Sequence, residues 1–238
     1  QRISAIERYL WSGTMNQNRH FKKFEKIRNE EHQWRGRNLS DWWESVFPGQ
    51  KNKLPSKSVS REELKTLCAD QAFSDQETVA AVMAWGGMFV NNGRKFSSNV
   101  KCVCEIVSSL RSGDLPRDEA FSAFKNLRVK KQIKGMGAAY FTKLIFFCSP
   151  KHDGYIMDQW TSKSVNLISE KKLVKLTNGG HVSDANDAST YIEYCEFIEN
   201  LSLMCCDRSS EETEKRLFSF GGKTKGAWRS YVIQNWKR

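Results

Sequence analysis

The chain holds 238 residues with 38 Lys or Arg against 27 Asp or Glu, a formal net charge of +11. That excess favours a polyanionic partner, and the competing reading is charge scattered for solubility alone. The length suffices to bury a core, as one domain or two small lobes, and the 7 cysteines are odd in number with no C-x-x-C pair. These features argue against a disulfide framework and a zinc site and point to a reducing compartment.

Taken in chain order, the pattern is helical. Residues 3–11 and Phe21 to Trp34 carry apolar residues at three-to-four spacing, and the stretch Phe47 to Lys57 reads as a loop containing two of the 4 prolines. Ser60 is placed to cap a helix opening with Glu62 and Glu63, and Ser74-Asp75-Gln76-Glu77 reads as a capping box whose helix runs to about Phe89. Val100 to Leu110, Arg117 to about Lys130, Ala138 to Phe147, Thr161 to Ile168, Ser189 to Met204 and Glu211 to Phe218 continue the series. No segment shows the sustained alternation of a strand, and the fold class is all-α. No apolar run reaches the ~18 residues of a membrane span, and the N-terminus lacks the apolar block of a signal peptide. A cytoplasmic protein with no membrane contact is expected. His20, His32, His152 and His181 form no metal-ligand spacing, and no metal is expected.

The most informative stretch is Ile133-Lys134-Gly135-Met136-Gly137, between two helical patterns. It reads as a helix-hairpin-helix, whose glycines allow a tight turn and close approach of another backbone. The amides at the start of the second helix, with its dipole, suit a phosphate, and Lys130, Lys131 and Lys134 add charge. The partner read from this is double-stranded DNA. Downstream stands Asp158, in Gly154-Tyr155-Ile156-Met157-Asp158-Gln159-Trp160. As an N-cap it would satisfy the next helix, and a fixed negative charge there could also stabilise an oxocarbenium-like sugar. Lys143 falls one helical turn after Ala139, so its amine can reach back over that position. A nucleophile, a phosphate ligand and an outward-pointing surface lysine are all open readings for it.

Lys134-Gly135-Met136-Gly137-Ala138-Ala139, followed by Ile156-Met157-Asp158-Gln159-Trp160, resembles the helix-hairpin-helix DNA glycosylases, especially the 8-oxoguanine branch. The resemblance implies a two-lobed fold with a cleft, in which residues 73–150 form a bundle ending in the hairpin and residues 1–72 plus 151–238 form the second lobe. It implies Asp158 as a catalytic carboxylate, with Lys131, Lys134, Gly135, Met136 and Gly137 on the DNA. Asn91-Asn92-Gly93-Arg94 is similar to the family's Asn-rich loop, so that Asn91, Asn92 and Arg94 would occupy the gap left by an extruded base. Bifunctional members carry a lysine where this chain has Ala139. A monofunctional enzyme with water as nucleophile is therefore implied, with Lys143 as the alternative amine. The family often holds a monovalent cation at the hairpin, and no other cofactor is expected. Among the 8 Trp, Trp160 and Trp85 are the first candidates for the base pocket, with Phe218, Phe220 and Trp228 behind them. The chain is also similar to bacterial defence glycosylases that remove hypermodified bases, such as glucosylated hydroxymethylcytosine, from phage DNA. That substrate and an 8-oxoguanine-type repair substrate both stand, as does a non-catalytic DNA-binding module. A monomer is expected.

Overall fold

The computed structural model describes residues 17–27, 34–221 and 224–236. The expected helix over residues 3–11 lies outside the described residues. Twelve helices are found among the described residues, which form no strand, only an isolated antiparallel bridge between Leu176 and Val182.

The first half runs α1 (Arg19–Lys26), α2 (Leu39–Val46), α3 (Arg61–Ala69), α4 (Asp75–Trp85), α5 (Val90–Ser97), α6 (Val100–Arg111) and α7 (Arg117–Val129). It is followed by α8 (Ala138–Cys148), α9 (Gln159–Ser169), α10 (Ala188–Cys205), α11 (Ser210–Phe218) and α12 (Ala227–Asn235). Helices α3 and α4 both start in complete capping boxes, Ser60 with Glu63 and Ser74 with Glu77, which satisfy amides that no preceding turn can reach. Helix α4 is apolar on every side, and Val79 through Ala84 are buried. Such a helix belongs in the interior, and α4 packs against α2, α3, α6 and α8. Helix α8, whose residues Phe141 through Cys148 are all buried, packs in turn against α3, α4, α6 and α7. Helix α9 meets α1, α10, α11 and α12, while α10 also meets α7.

Four expectations about element boundaries need correction. Helix α4 stops at Trp85 rather than near Phe89, because Gly86 caps it and Gly87 turns left-handed at φ 72°. The helix expected from Phe21 to Trp34 ends at Lys26; residues 28–33 lie outside the described residues, and Trp34 is not helical. Asn91-Asn92-Gly93-Arg94 is not a loop but the body of α5. Asn-Gly is an ordinary turn signal, but a Cβ on Gly93 would stand 2.7 Å from Val46 and 2.8 Å from Trp42, so this glycine serves close packing of α5 on α2. Helices α2 and α12 were not anticipated either; both are short, and α2 depends on its Asn38 cap and the burial of Trp42 and Trp43.

The hairpin between α7 and α8 is anchored by Ile133 and Met136, both fully buried. Gly135 adopts φ 87°, and a Cβ there would lie 2.7 Å from the Asn92 carbonyl oxygen. Gly135→Ala therefore meets both a left-handed backbone and a clash with main chain. It should destabilise the fold by about 1–3 kcal/mol, read as a lower midpoint in urea unfolding; an unchanged midpoint would contradict this packing.

Candidate active site

Between α8 and α9 the chain passes through residues 155–157, buried and without helical or sheet partners. Buried backbone groups in such a segment need side-chain partners, and hydroxyl groups supply them. The Met157 amide donates to Thr142 Oγ1 at 3.1 Å, and Tyr191 donates to the Tyr155 carbonyl at 3.1 Å. The Ile156 carbonyl accepts from Tyr194 at 2.6 Å and from Thr161 at 2.9 Å. Gly154 lets α8 approach, since a Cβ would stand 2.5 Å from Ile145 Cγ2.

Asp158 closes this segment as the N-cap of α9, its Oδ1 accepting from Trp160 N at 2.7 Å and Thr161 N at 3.0 Å. The carboxylate's hydrogen bonds all use Oδ1, so Oδ2 has no hydrogen-bond partner among the described residues. The residue is only 9% exposed, and it lines a cavity of about 930 Å³. Walls come from α3, α4, α8, α9, α11 and α12 together with the turns at 86–89 and 219–221.

Lys143, at 8% exposure, enters the same cavity from α8. Its Nζ reaches back one turn to donate to the Ala139 carbonyl at 2.6 Å. Burial lowers its pKa below the ordinary lysine value; Asp158 and Glu214 pull it upward, and Arg61 adds to the fall. Gly86 makes room for the stem, since a Cβ there would lie 2.9 Å from Lys143 Cδ. Arg229 also lines the cavity, stacked 4.9 Å from the Trp160 ring centroid and 4.4 Å from that of Phe218. Burial brings its pKa down to about 10, against the pull of Asp158. Glu214, 1% exposed, completes the charged set.

Asp158, Lys143, Trp160 and Trp85 thus share one cavity, as do Phe218, Phe220 and Trp228. Trp228 is otherwise committed to the core, donating to Ser164 Oγ at 2.9 Å. The hairpin residues do not line the cavity. They connect to it through the Gly135 contact with Asn92 and the short run back to Phe89, which stands at the cavity and is 67% exposed. Lys131 and Lys134 are exposed, whereas the Met136 side chain is fully buried and can offer only its backbone to a ligand. Asn91 is exposed, Asn92 half-buried beside the hairpin, and Arg94 bonded through Nε to the Ser45 carbonyl at 2.9 Å. Sequence reasoning missed Phe89, Gly86, Trp34, Arg61 and Glu214 as cavity residues. Gly86-Gly87 after a tryptophan was a visible signal; nothing in the pattern around Glu214 distinguishes it from a surface glutamate.

Helix α8 begins at Gly137 with no side-chain cap, leaving first-turn amides without the intrahelical partners later residues have. A Cβ on Gly137 would meet nothing within 4 Å. Gly137 differs in this from Gly135: no packing and no left-handed backbone demand it.

The family model described as "Putative 8-oxoguanine DNA glycosylase OGG-like protein" matches residues 25–218. No curated protein and no solved structure matches the chain.

Gly137→Ala should leave the unfolding midpoint unchanged while weakening duplex binding about 10-fold or more, because the added methyl occupies the space through which a phosphate approaches the α8 amides. Fluorescence anisotropy with a labelled duplex reads this. Equal affinity in the variant would remove the α8 terminus from the interface.

Proposed function

We propose that this chain, which belongs to the OGG-like 8-oxoguanine DNA glycosylase family, everts one damaged or modified nucleotide from duplex DNA into the cavity and cleaves its N-glycosidic bond. The observation that carries the reading is the meeting of Asp158 and Lys143 in one buried cavity behind an uncapped, lysine-flanked hairpin. Lys131, Lys134 and the hairpin amides hold backbone phosphate, which positions the enzyme without selecting a sequence. Phe89 takes over the part expected of Asn91, Asn92 and Arg94, since an exposed aromatic ring beside the pocket is suited to wedge into the stack. The carbonyls of Lys134 and Gly135 receive no hydrogen bond among the described residues, and they fit the monovalent cation implied by the resemblance, which would screen the bound phosphate.

Inside the cavity, the carboxylate of Asp158 stabilises positive charge developing on the sugar. Its cap bonds occupy Oδ1 and leave Oδ2 for this task. Lys143 supplies the attacking group. Its neutral amine, favoured by burial, adds to the anomeric carbon as the bond to the base breaks, and the departing base takes up the proton the amine sheds; the adduct then opens to an imine as the bond to the ring oxygen breaks and that oxygen takes the second N–H proton. The water route implied by Ala139 predicts instead an intact abasic site and no covalent adduct. Two substrate classes are in view. Family membership favours 8-oxoguanine or a similar oxidised purine. The cavity of about 930 Å³ lies at the upper end of the roughly 300–1,000 Å³ usual for ligand pockets, and this favours a bulkier base such as a glucosylated hydroxymethylcytosine, with a role in antiviral defence.

Mass spectrometry of free bases released from oxidised, alkylated and phage-modified duplexes separates these substrates. In the same assay Asp158→Asn, which keeps the cap acceptor but loses the charge, should release base roughly 100- to 1,000-fold more slowly with duplex affinity retained; undiminished release would end the catalytic assignment. With active enzyme on its substrate, borohydride should trap a covalent complex that Lys143→Ala cannot form. Failure of the wild type to trap selects the water route.

A further inference from the structure

Arg61 on α3 and Glu214 on α11 meet in the cavity wall, Nη2 to Oε2 at 2.7 Å, with side-chain exposures of 13% and 2%. Arg61 Nε also lies 3.1 Å from Glu211 Oε1, and the guanidinium stacks 4.3 Å from the Phe146 ring centroid. These contacts fix the guanidinium plane and leave Arg61 Nη1 and Glu214 Oε1 without a partner among the described residues. Arg61 Nε, Arg61 Nη2 and Glu214 Oε2 are fully enclosed and meet their partners as ion pairs outside hydrogen-bond geometry, whereas Arg61 Nη1 and Glu214 Oε1 are not enclosed in this way. The two open atoms therefore keep contact with the cavity that both residues line.

Stability does not account for such a pair. A buried ion pair contributes little beyond what apolar side chains of the same volume would, and it needs further polar partners to offset its desolvation. Of the other polar groups in the wall, Asp158 Oδ1 serves the α9 cap and Lys143 Nζ donates to Ala139. Trp160 and Trp85 offer ring faces, which hold any base by stacking but do not read its edge. Reading an edge takes in-plane donors and acceptors, and rejection of a wrong base comes from leaving them unpaired.

We propose that Arg61 and Glu214 read the everted base, Glu214 Oε1 accepting from a ring N–H and Arg61 Nη1 donating to the carbonyl beside it. The substrate class is then a base with a lactam edge, as in oxidised purines, rather than an aminopyrimidine. This rests on the assignment of the cavity as the base pocket. Burial and the charge of Asp158 raise the Glu214 pKa, and Arg61 opposes the rise without reversing it.

The test compares wild type, Glu214→Gln and Arg61→Lys on three duplexes: one carrying 8-oxoguanine, one a purine whose lactam is O-methylated, and one a tetrahydrofuran abasic analogue. Wild type should release the lactam base and reject the methylated one. Glu214→Gln should slow single-turnover release of the lactam base about 10- to 100-fold and narrow the preference between the two bases, with affinity for the abasic duplex unchanged. A preference equal to that of the wild type, whether or not the rates fall, overturns the proposal, because a purely structural pair would affect both bases alike. If melting shows Glu214→Gln to be unfolded, Arg61→Lys, which keeps a cation beside Glu214 but lacks Nη1, gives the same reading by the same criterion. Release of neither base by a wild type that still binds the abasic duplex would overturn this proposal, and the glycosylase reading falls with it only if the same enzyme also releases no base from a phage-modified duplex.

Discussion

The arrangement depends on a short irregular segment being held in the interior by hydroxyl groups. Residues 155–157 make no regular main-chain pairing, yet they are buried, and an unmatched buried peptide group would cost about 1–3 kcal/mol. Thr142, Thr161, Tyr191 and Tyr194 remove that penalty from three different helices, α8, α9 and α10. Because the partners come from different helices, the segment has little freedom to shift unless the packing of α8 on its neighbours shifts too. Asp158 inherits this rigidity. Its carboxylate is fixed both by the cap it forms and by the chain that delivers it, as the proposed action on developing charge would require.

Around that carboxylate the charges are arranged in opposition. Burial alone would neutralise Lys143 and Glu214 and weaken the hold of Arg229 on its proton; Asp158 counters the effect on the two bases and adds to it on Glu214. The cavity therefore contains carboxylates and cations whose states are mutually dependent, so removing any one alters the protonation of the others as well as its own contacts. Aromatic residues such as Trp85, Trp160 and Phe218 also line the cavity, and the low local polarity they create strengthens these couplings.

Much of the helical content was legible in the sequence, and for identifiable reasons. Capping boxes at Ser60 and Ser74 and the glycines after Ile133 are local signals, and each specifies its own element. Asp158 as a cap was equally local. What was not legible depends on contacts distant in sequence. Gly93 was read as a turn residue because its partners, Trp42 and Val46, lie on another helix. Nothing in the sequence near Tyr191 and Tyr194 shows that their hydroxyls serve residues 155 and 156. Glu214 sits in a charged stretch that reads as a solvated helix face, and only the fold turns it inward.

The contact between Gly135 and the Asn92 main chain carries a further consequence. It rivets the hairpin corner to the helix whose leading end bears Phe89, so that, if these two hold the strand and enter the stack as proposed, they cannot travel independently. On a bound duplex the stretch of backbone between the two has a set length, like the jaws of a fixed-gap gauge. Under the proposed function, inspection would then advance only by moving the whole protein along the helix, and a nucleotide would be sampled when it comes into step with the hairpin.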